Sequence, residues 1–351
     1  MRVVMRRDEI LRWLLEEDET RLDELWPRAD RVRRERVGDE VHLRGLIEIS
    51  NYCVRQCGYC GIRFGNTELE RYRMSEEEIL SCVDEAETYG YGTVVLQSGE
   101  DYGIETEWLA RIIRRVKKQT RLAVTLSVGE RPDEDLEAWR KAGADRYLLR
   151  FETSDKDLHQ SIHPSLPGRV SNRLAMLQTL KKMGYEAGSG VMIGIPGQTY
   201  ASLSQDIDLF RKLDLDMIGV GPYLPHPRTP LGHGDGGRTI PKEGQVPNTE
   251  QMTYKVIALT RIVCPEANIP STTALATINR ERGRELGLMR GANVVMPNLT
   301  PLPYRAKYEI YPSKACISEI PSECHSCLHD RIGSIGRKVG TGQGDRMHCV
   351  G

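Results

Sequence analysis

Long apolar runs are missing from this 351-residue chain. A membrane-spanning helix needs about 18 consecutive apolar residues. No such run occurs, so no transmembrane helix is expected. An excess of charge of one sign is missing too: 49 Lys and Arg stand against 50 Asp and Glu, a formal net charge of −1. That balance removes the electrostatic argument for binding nucleic acid or a membrane surface. The start, "MRVVMRRDEILRWLLEEDE", is basic, but Arg6, Arg7, Asp8, Glu9 and Arg12 interrupt it, so a secretory signal is not expected. Low-complexity tracts and fixed-period repeats are absent as well. What remains is a chain with 39% apolar residues, ample for a sizeable core, and a cytoplasmic location is the expectation.

Alternation fills the chain instead. Short β-rich runs recur at 41–49, 92–98, 122–128, 145–151, 186–195, 216–222, 268–274 and 292–297. Helical spacing falls between them, at 75–90, 105–119, 132–143, 170–184, 200–214, 251–263 and 280–291. The first of these helices opens on Ser75 and Glu78, a capping box. Strand and helix in alternation predict a parallel sheet. Eight units fit a closed (β/α)8 TIM barrel, with a doubly wound open sheet as the rival. The domain reading is a helical N-terminal extension at 1–40, a barrel at 41–298 and a C-terminal extension at 299–351. Both extensions are expected over the crown. The Gly/Pro-rich stretch 232–248 reads as a mobile loop.

Nine cysteines are present, and six form two tight groups. In a large intracellular chain, clustered cysteines point to metal binding or catalysis before disulfides. Cys53, Cys57 and Cys60 lie in "ISNYCVRQCGYCGIRFGN", just past the first strand, at the face where barrel enzymes build active sites. A closed zinc site wants a fourth ligand close by, and none stands at a suitable spacing. Three thiolates instead suit a 4Fe–4S cube with one iron left open. Cys316, Cys324 and Cys327 form the looser group, for which a zinc site is the alternative.

Cys53, Cys57, Tyr59 and Cys60 form Cys-x3-Cys-x-aromatic-Cys, which resembles the signature of the radical S-adenosylmethionine superfamily. In that superfamily the open iron binds S-adenosylmethionine, whose reductive cleavage gives a 5′-deoxyadenosyl radical. The segments "YRMSEEEI", "VVLQSGED", "AVTLSVGE", "GADRYLLRFET", "GIPGQT", "IGVGPYLPHPRTPL" and "ANVVMPNLTPLPYR" narrow the resemblance to the HydE family of FeFe-hydrogenase maturases. It runs from about residue 30 to 330. Methylornithine synthase and biotin synthase are the nearest relatives of that family.

The resemblance assigns roles. Tyr59, Ser98, Gly99, Glu100, Thr125, Ser127, Glu152, Arg173 and Ile193 fall where the family contacts S-adenosylmethionine. Physical readings stand beside it. Ser98, Gly99 and Glu100 end the second strand, where backbone and carboxylate groups can meet an ammonium. Thr125 and Ser127 share one face of the third strand. A guanidinium such as Arg173 grips a carboxylate with two hydrogen bonds. Met217, His226, Tyr308 and Tyr311 resemble substrate-cavity residues. Cys316, Cys324 and Cys327 resemble the ligands of a second, accessory cluster, 2Fe–2S or 4Fe–4S. The implied substrate is a small organometallic complex of iron, cysteine, carbon monoxide and cyanide. The implied partners are other hydrogenase maturation proteins and a reducing electron donor. A lysine mutase of the methylornithine synthase type is the alternative within the superfamily. A non-catalytic iron–sulfur scaffold or carrier is the alternative outside it.

Overall fold

The computed structural model describes residues 5–315, 317–318 and 320–347, with backbone alone at residue 323. Two helices come first, α1 (Arg7–Leu15) and α2 (Glu19–Val37). Then β1 (Glu40–Ser50), α3 (Glu76–Thr88), β2 (Thr93–Ser98), α4 (Thr106–Gln119), β3 (Ala123–Ser127) and α5 (Asp133–Ala142) alternate. They are followed by β4 (Arg146–Leu148), α6 (Lys156–Ile162), α7 (Arg173–Lys182), β5 (Glu186–Ile193), α8 (Tyr200–Lys212) and β6 (Met217–Pro222). The last part holds α9 (Glu250–Val263), α10 (Thr273–Ile278), α11 (Gly283–Met289), β7 (Val294–Val295), α12 (Leu302–Arg305), α13 (Pro321–Ser334) and β8 (Lys338–Val339).

The strands are parallel, in the order β6-β5-β4-β3-β2-β1-β7. Residues 268–271 close the ring. Asn268 bridges Met217 of β6 and Pro270 bridges Val294 of β7. The seventh expected strand, 268–274, is therefore shorter than its apolar run. The Thr272 side chain accepts the amide of Leu275 and turns the chain into α10. The TIM-barrel architecture holds, with this one strand reduced to bridges. The capping box of α3 is in place, Ser75 and Glu78 each bonding the other's backbone amide.

Val94, Leu96, Val124 and Leu126 join the core between sheet and helices. Strand alternation leaves Thr93, Val95, Gln97, Thr125 and Ser127 to the barrel axis. The extensions do not both cover the crown, as expected above. α1 packs on α8, and α2 on α9, outside the barrel. That covering explains why almost every side chain of α9 is buried, Lys255 included, whose ammonium reaches the carbonyl of Leu14 at 3.1 Å. Residues 299–315 do lie over the crown. The end of the described chain closes the opposite, lower face instead. β8 pairs with the start of β1, Glu40 with Lys338. Beyond it, the Gln343 carbonyl accepts from Thr93 Oγ1 at 2.8 Å and Arg146 Nη2 at 3.0 Å, and the Gly344 carbonyl from Arg44 Nη2 at 3.0 Å. Gly92 permits this floor: a Cβ there would stand 1.6 Å from the Gly342 carbonyl. The 232–248 stretch carries two short 3-10 turns, and Gln245 bridges Thr199. No helix among the described residues is long and apolar enough to cross a membrane.

Candidate active site

β1 ends at Ser50 and delivers the thiol loop onto the crown. Four carbonyls of that loop, from Asn51, Ile62, Arg63 and Asn66, accept from the single guanidinium of Arg71 at 2.6–3.2 Å. Neighbouring strand ends pin it further: Val54 N donates to Glu100 O at 3.0 Å, and Gly58 N to Ile162 O at 2.8 Å. Gly99 lies directly beneath, where a Cβ would come within 2.2 Å of the Tyr52 carbonyl. The end of β2 therefore supports Cys53 through backbone contact that tolerates no side chain.

Cys57 is buried; Cys53 and Cys60 are partly covered. Burial, and then the neighbouring Cys53, pushes the Cys57 thiol up to about 12. Burial and the other two sulfurs push Cys60 up as well. The three sulfurs thus stand within electrostatic reach of one another, and thiolates here need a cationic partner to persist. Among the described residues, no three His, Cys, Asp or Glu side chains converge closely enough for one metal ion. A cube takes its ligands at separate corners, a wider arrangement, and this donor set fits it.

A buried ionic chain leads away from Cys57. Its sulfur lies 3.0 Å from His163 Nδ1. His163 Nε2 lies 2.8 Å from Arg173 Nη2, and Arg173 Nε donates to Glu130 Oε1 at 2.9 Å. The other Glu130 oxygen meets Arg55 Nη2 at 3.0 Å, and Arg55 Nε donates to Glu100 at 2.8 Å. Burial opposes ionisation of Glu130. The Arg173 charge and hydrogen bonds from Ser171 and Arg173 outweigh it and hold the carboxyl well below its usual range. Burial and Arg173 push the His163 imidazole down to about 3.

The sequence-picked residues fall in distinct places. Tyr59 packs on the small cluster of Leu158, Ile162, Met192, Ile195, Tyr223 and Leu231. Both Glu100 oxygens are engaged within the protein, by Arg55, Tyr102 and the Glu130 amide. Gly99 N donates to Ser50 O at 3.1 Å, so the Gly99 carbonyl, which accepts from Ser98 Oγ at 2.6 Å and keeps a second lone pair, is what this strand end offers a ligand. Thr125 Oγ1 is buried without a partner, and Ser127 lies one layer higher on the same face. Glu152 adopts φ 63°, a left-handed conformation costly for a non-glycine residue, and its Oε2 makes no hydrogen bond. Arg150 Nη2 stands 3.2 Å from that oxygen. Ile193 is buried at the end of β5.

Tyr308 and Tyr311 come together inside the barrel. Gln97 Nε2 donates to the Tyr308 hydroxyl at 3.3 Å, and the Lys314 ammonium lies 5.5 Å over its ring. Lys314 also pairs with the fully buried Glu48. Burial and Glu48 push the Tyr311 phenol up, with Arg150 and Arg284 near enough to oppose them. Met217 lies lower, with its sulfur 2.8 Å from Arg44 Nη1. His226 lies on the rim, its Nδ1 accepting from the Arg228 amide at 3.0 Å. Cys316 lies outside the described residues. Cys324 and Cys327 lie one turn apart on α13 and line a cavity of about 90 Å³ with Ala315, Arg280, Arg284 and Arg331.

Glu48, Arg55, Arg71, Glu130, His163 and Lys314 were not singled out by sequence reasoning. Two of them did leave a signal. Glu48 is a carboxylate inside the apolar run "GLIEI", and Glu130 follows the third strand closely, as Glu152 does the fourth.

A family model described as the Radical SAM superfamily matches residues 47–210. Together with the parallel barrel and the three-thiol loop, it defines the chain as a radical SAM enzyme. FeFe hydrogenase maturase subunit HydE of Thermotoga maritima is 46% identical over 322 residues, 92% of this chain and 88% of that protein. The 3-methylornithine synthase of Methanosarcina acetivorans is 30% identical over 82% of this chain and 78% of its own. A crystal structure of methylornithine synthase superposes with a TM-score of 0.80 at 25% identity, covering 96% and 94% of the two chains. The maturase HydG from Carboxydothermus hydrogenoformans shares the fold, with a TM-score of 0.74 at 19% identity over 93% and 75%. The chain belongs to the HydE family. Membership implies a 4Fe–4S cluster and S-adenosylmethionine.

Proposed function

We propose that this chain acts in building the diiron subcluster of FeFe-hydrogenase, on a small organometallic complex of iron, cysteine, carbon monoxide and cyanide. One observation carries the reading: buried charged and phenolic side chains, Glu48, Lys314 and Tyr308, stand within electrostatic reach of the three-thiol loop. Tyr308 connects the two, since it feels both Glu48 and Cys60. Cys53, Cys57 and Cys60 would hold the cube. That cube would supply one-electron reduction of the S-adenosylmethionine sulfonium, whose C–S bond would break to give methionine and a 5′-deoxyadenosyl radical. Thr125, Ser127 and Glu152 carry hydrogen-bonding groups toward that cofactor, and the Glu130–Arg173 pair fixes the wall beside it. Ser98, Gly99 and Ile193 supply backbone and apolar surface. Arg150, Arg284 and Lys314 supply positive charge suited to an anionic iron complex, and Tyr308 and Tyr311 supply hydroxyls. The floor built by residues 338–346 keeps water from a reactive radical.

Cys316, Cys324 and Cys327 are proposed to hold an accessory cluster, 2Fe–2S or 4Fe–4S. Two of them line one cavity together with Ala315, the sequence neighbour of the third. An electron donor and other maturation proteins complete the partner set.

Anaerobic reconstitution with iron and sulfide, followed by dithionite and S-adenosylmethionine, is expected to yield 5′-deoxyadenosine. Cys57→Ser is expected to abolish it, and full activity in that variant would overturn the reading. The TM-score of 0.80 to methylornithine synthase favours lysine mutation as the second reading. Isotope-labelled lysine, offered to the reduced protein, separates the two. Cluster transfer without 5′-deoxyadenosine would instead identify a scaffold or carrier.

A further inference from the structure

The three thiols are not served alike. Backbone amides of Arg55 and Glu100 face Cys53, and that of Ile62 faces Cys60. Cys57 is served by side chains, the Tyr59 hydroxyl and His163 Nδ1, the latter at 3.0 Å. Which hydrogen His163 carries is decided on its far side. Nε2 lies 2.8 Å from Arg173 Nη2. A guanidinium donates and never accepts, so Nε2 must be the bare, accepting nitrogen. With Nε2 bare, the ring's hydrogen stands on Nδ1, pointing at the Cys57 sulfur. The competing partner for Nε2 is Glu130 Oε1, but at 3.6 Å it is too far for a hydrogen bond.

The arrangement has no slack. The ring is buried, and His163 N donates to His159 O at 2.8 Å at the end of α6. Arg173 cannot retreat, because its Nη1 donates to Arg150 O at 2.6 Å and its Nε to Glu130. Glu130 is fixed in turn by Ser171 at 2.7 Å and by Arg55. Rotating the imidazole by half a turn would present carbon to both Cys57 and Arg173.

We infer that His163 is a positioning residue for the cluster: its Nδ1–H bonds the Cys57 thiolate and raises the reduction potential of the iron–sulfur centre. The inference rests on the cluster reading above. A donor facing a thiolate sulfur withdraws charge from it. The reduced cluster holds one more electron, so the donor stabilises the reduced form more than the oxidised one. Arg173 acts through His163 by fixing the tautomer.

The test uses reconstituted holoprotein and an EPR-monitored redox titration of wild type, His163→Leu and His163→Asn. At the wild-type midpoint, His163→Leu is expected to lower the ratio of reduced to oxidised cluster about tenfold, which is 59 mV for one electron. His163→Asn places an amide N–H where Nδ1–H was and is expected to stay within about twofold. An unchanged midpoint in His163→Leu with a full cluster overturns the tuning role and leaves the cluster reading intact. Equal shifts in both variants also overturn it. Failure of wild type to take up a cluster overturns both readings. If His163→Leu does not fold, pulsed EPR of reduced wild type with 15N-histidine decides. A 15N coupling with an exchangeable proton, lost in His163→Asn, supports the bond, and its absence in wild type refutes it.

Discussion

Glu130 carries one negative charge between the buried guanidinia of Arg55 and Arg173. Removing a partner from such a group leaves charge uncompensated in a low dielectric. Glu130→Ala is therefore expected to cost about 3–5 kcal/mol, read from urea midpoints of the apo protein. The sign with pH follows from a carboxyl held below its ordinary 4.5. Its stabilisation is complete above that value and is lost as pH falls through the depressed native one. Wild type should thus lose acid stability below about pH 4.5, while Glu130→Gln loses less over the same range. Thr125 offers the opposite case. Its Oγ1 is buried and unsatisfied, so Thr125→Val should leave the apo fold as stable or about 1 kcal/mol more so. Binding of S-adenosylmethionine should weaken about 5- to 10-fold, one hydrogen bond's worth, by calorimetry. Unaltered affinity would remove Thr125 from the cofactor site. These residues also show what single-sequence reading reaches. Cysteine spacing marks the thiols because ligand geometry is local in sequence. The ionic chain that positions Cys57 draws on residues 55, 100, 130, 163 and 173, which only the folded crown brings together.

At the scale of elements, strand and helix periodicity carried most of the barrel, since each βα unit buries its own apolar stripe. Most of the elements missed were short, although the fourteen-residue α13 was missed too. α6, α12 and the two-residue β8 are too brief to show a period, and Thr272 ended a strand that its apolar neighbours extended. α8 contains a further instructive residue. Asp206 is fully buried and accepts the Ser154 amide at 2.6 Å, tying α8 to the turn between β4 and α6. Burial pushes its carboxyl up to about 7. An acid raised in the native state contributes most below its ordinary 3.8 and loses that contribution as pH rises to about 7. Asp206→Asn keeps the acceptor without the charge. It is expected to be more stable than wild type at pH 8, by on the order of 1–3 kcal/mol, with the difference gone near pH 4. Denaturant midpoints at both pH values check this, and equal midpoints at pH 8 would exclude a buried charge.

At the scale of the whole molecule, the barrel has two differently built ends. The crown carries the thiols, and the floor is closed by a tail whose Arg346 pairs with Asp214 and Asp216. No local pattern announced the floor, because its partners are guanidinia, a hydroxyl and carboxylates scattered over β1, β2, β4, β5 and the α8–β6 turn. Arg346→Ala is expected to raise hydrogen exchange of residues 340–347 by tenfold or more while the crown keeps its protection. Exchange rising equally at both ends would mean that the ring itself had loosened. The pairing of β8 with β1 has a bearing on time. Arg337 reaches the Asp39 carbonyl across 298 positions of chain. Contacts between such distant residues form late, after most local structure. Until they do, the strand that leads into the thiol loop lacks one of its neighbours. The strand that delivers the thiol loop is thus braced, at its opposite end, by a segment from the far end of the described chain.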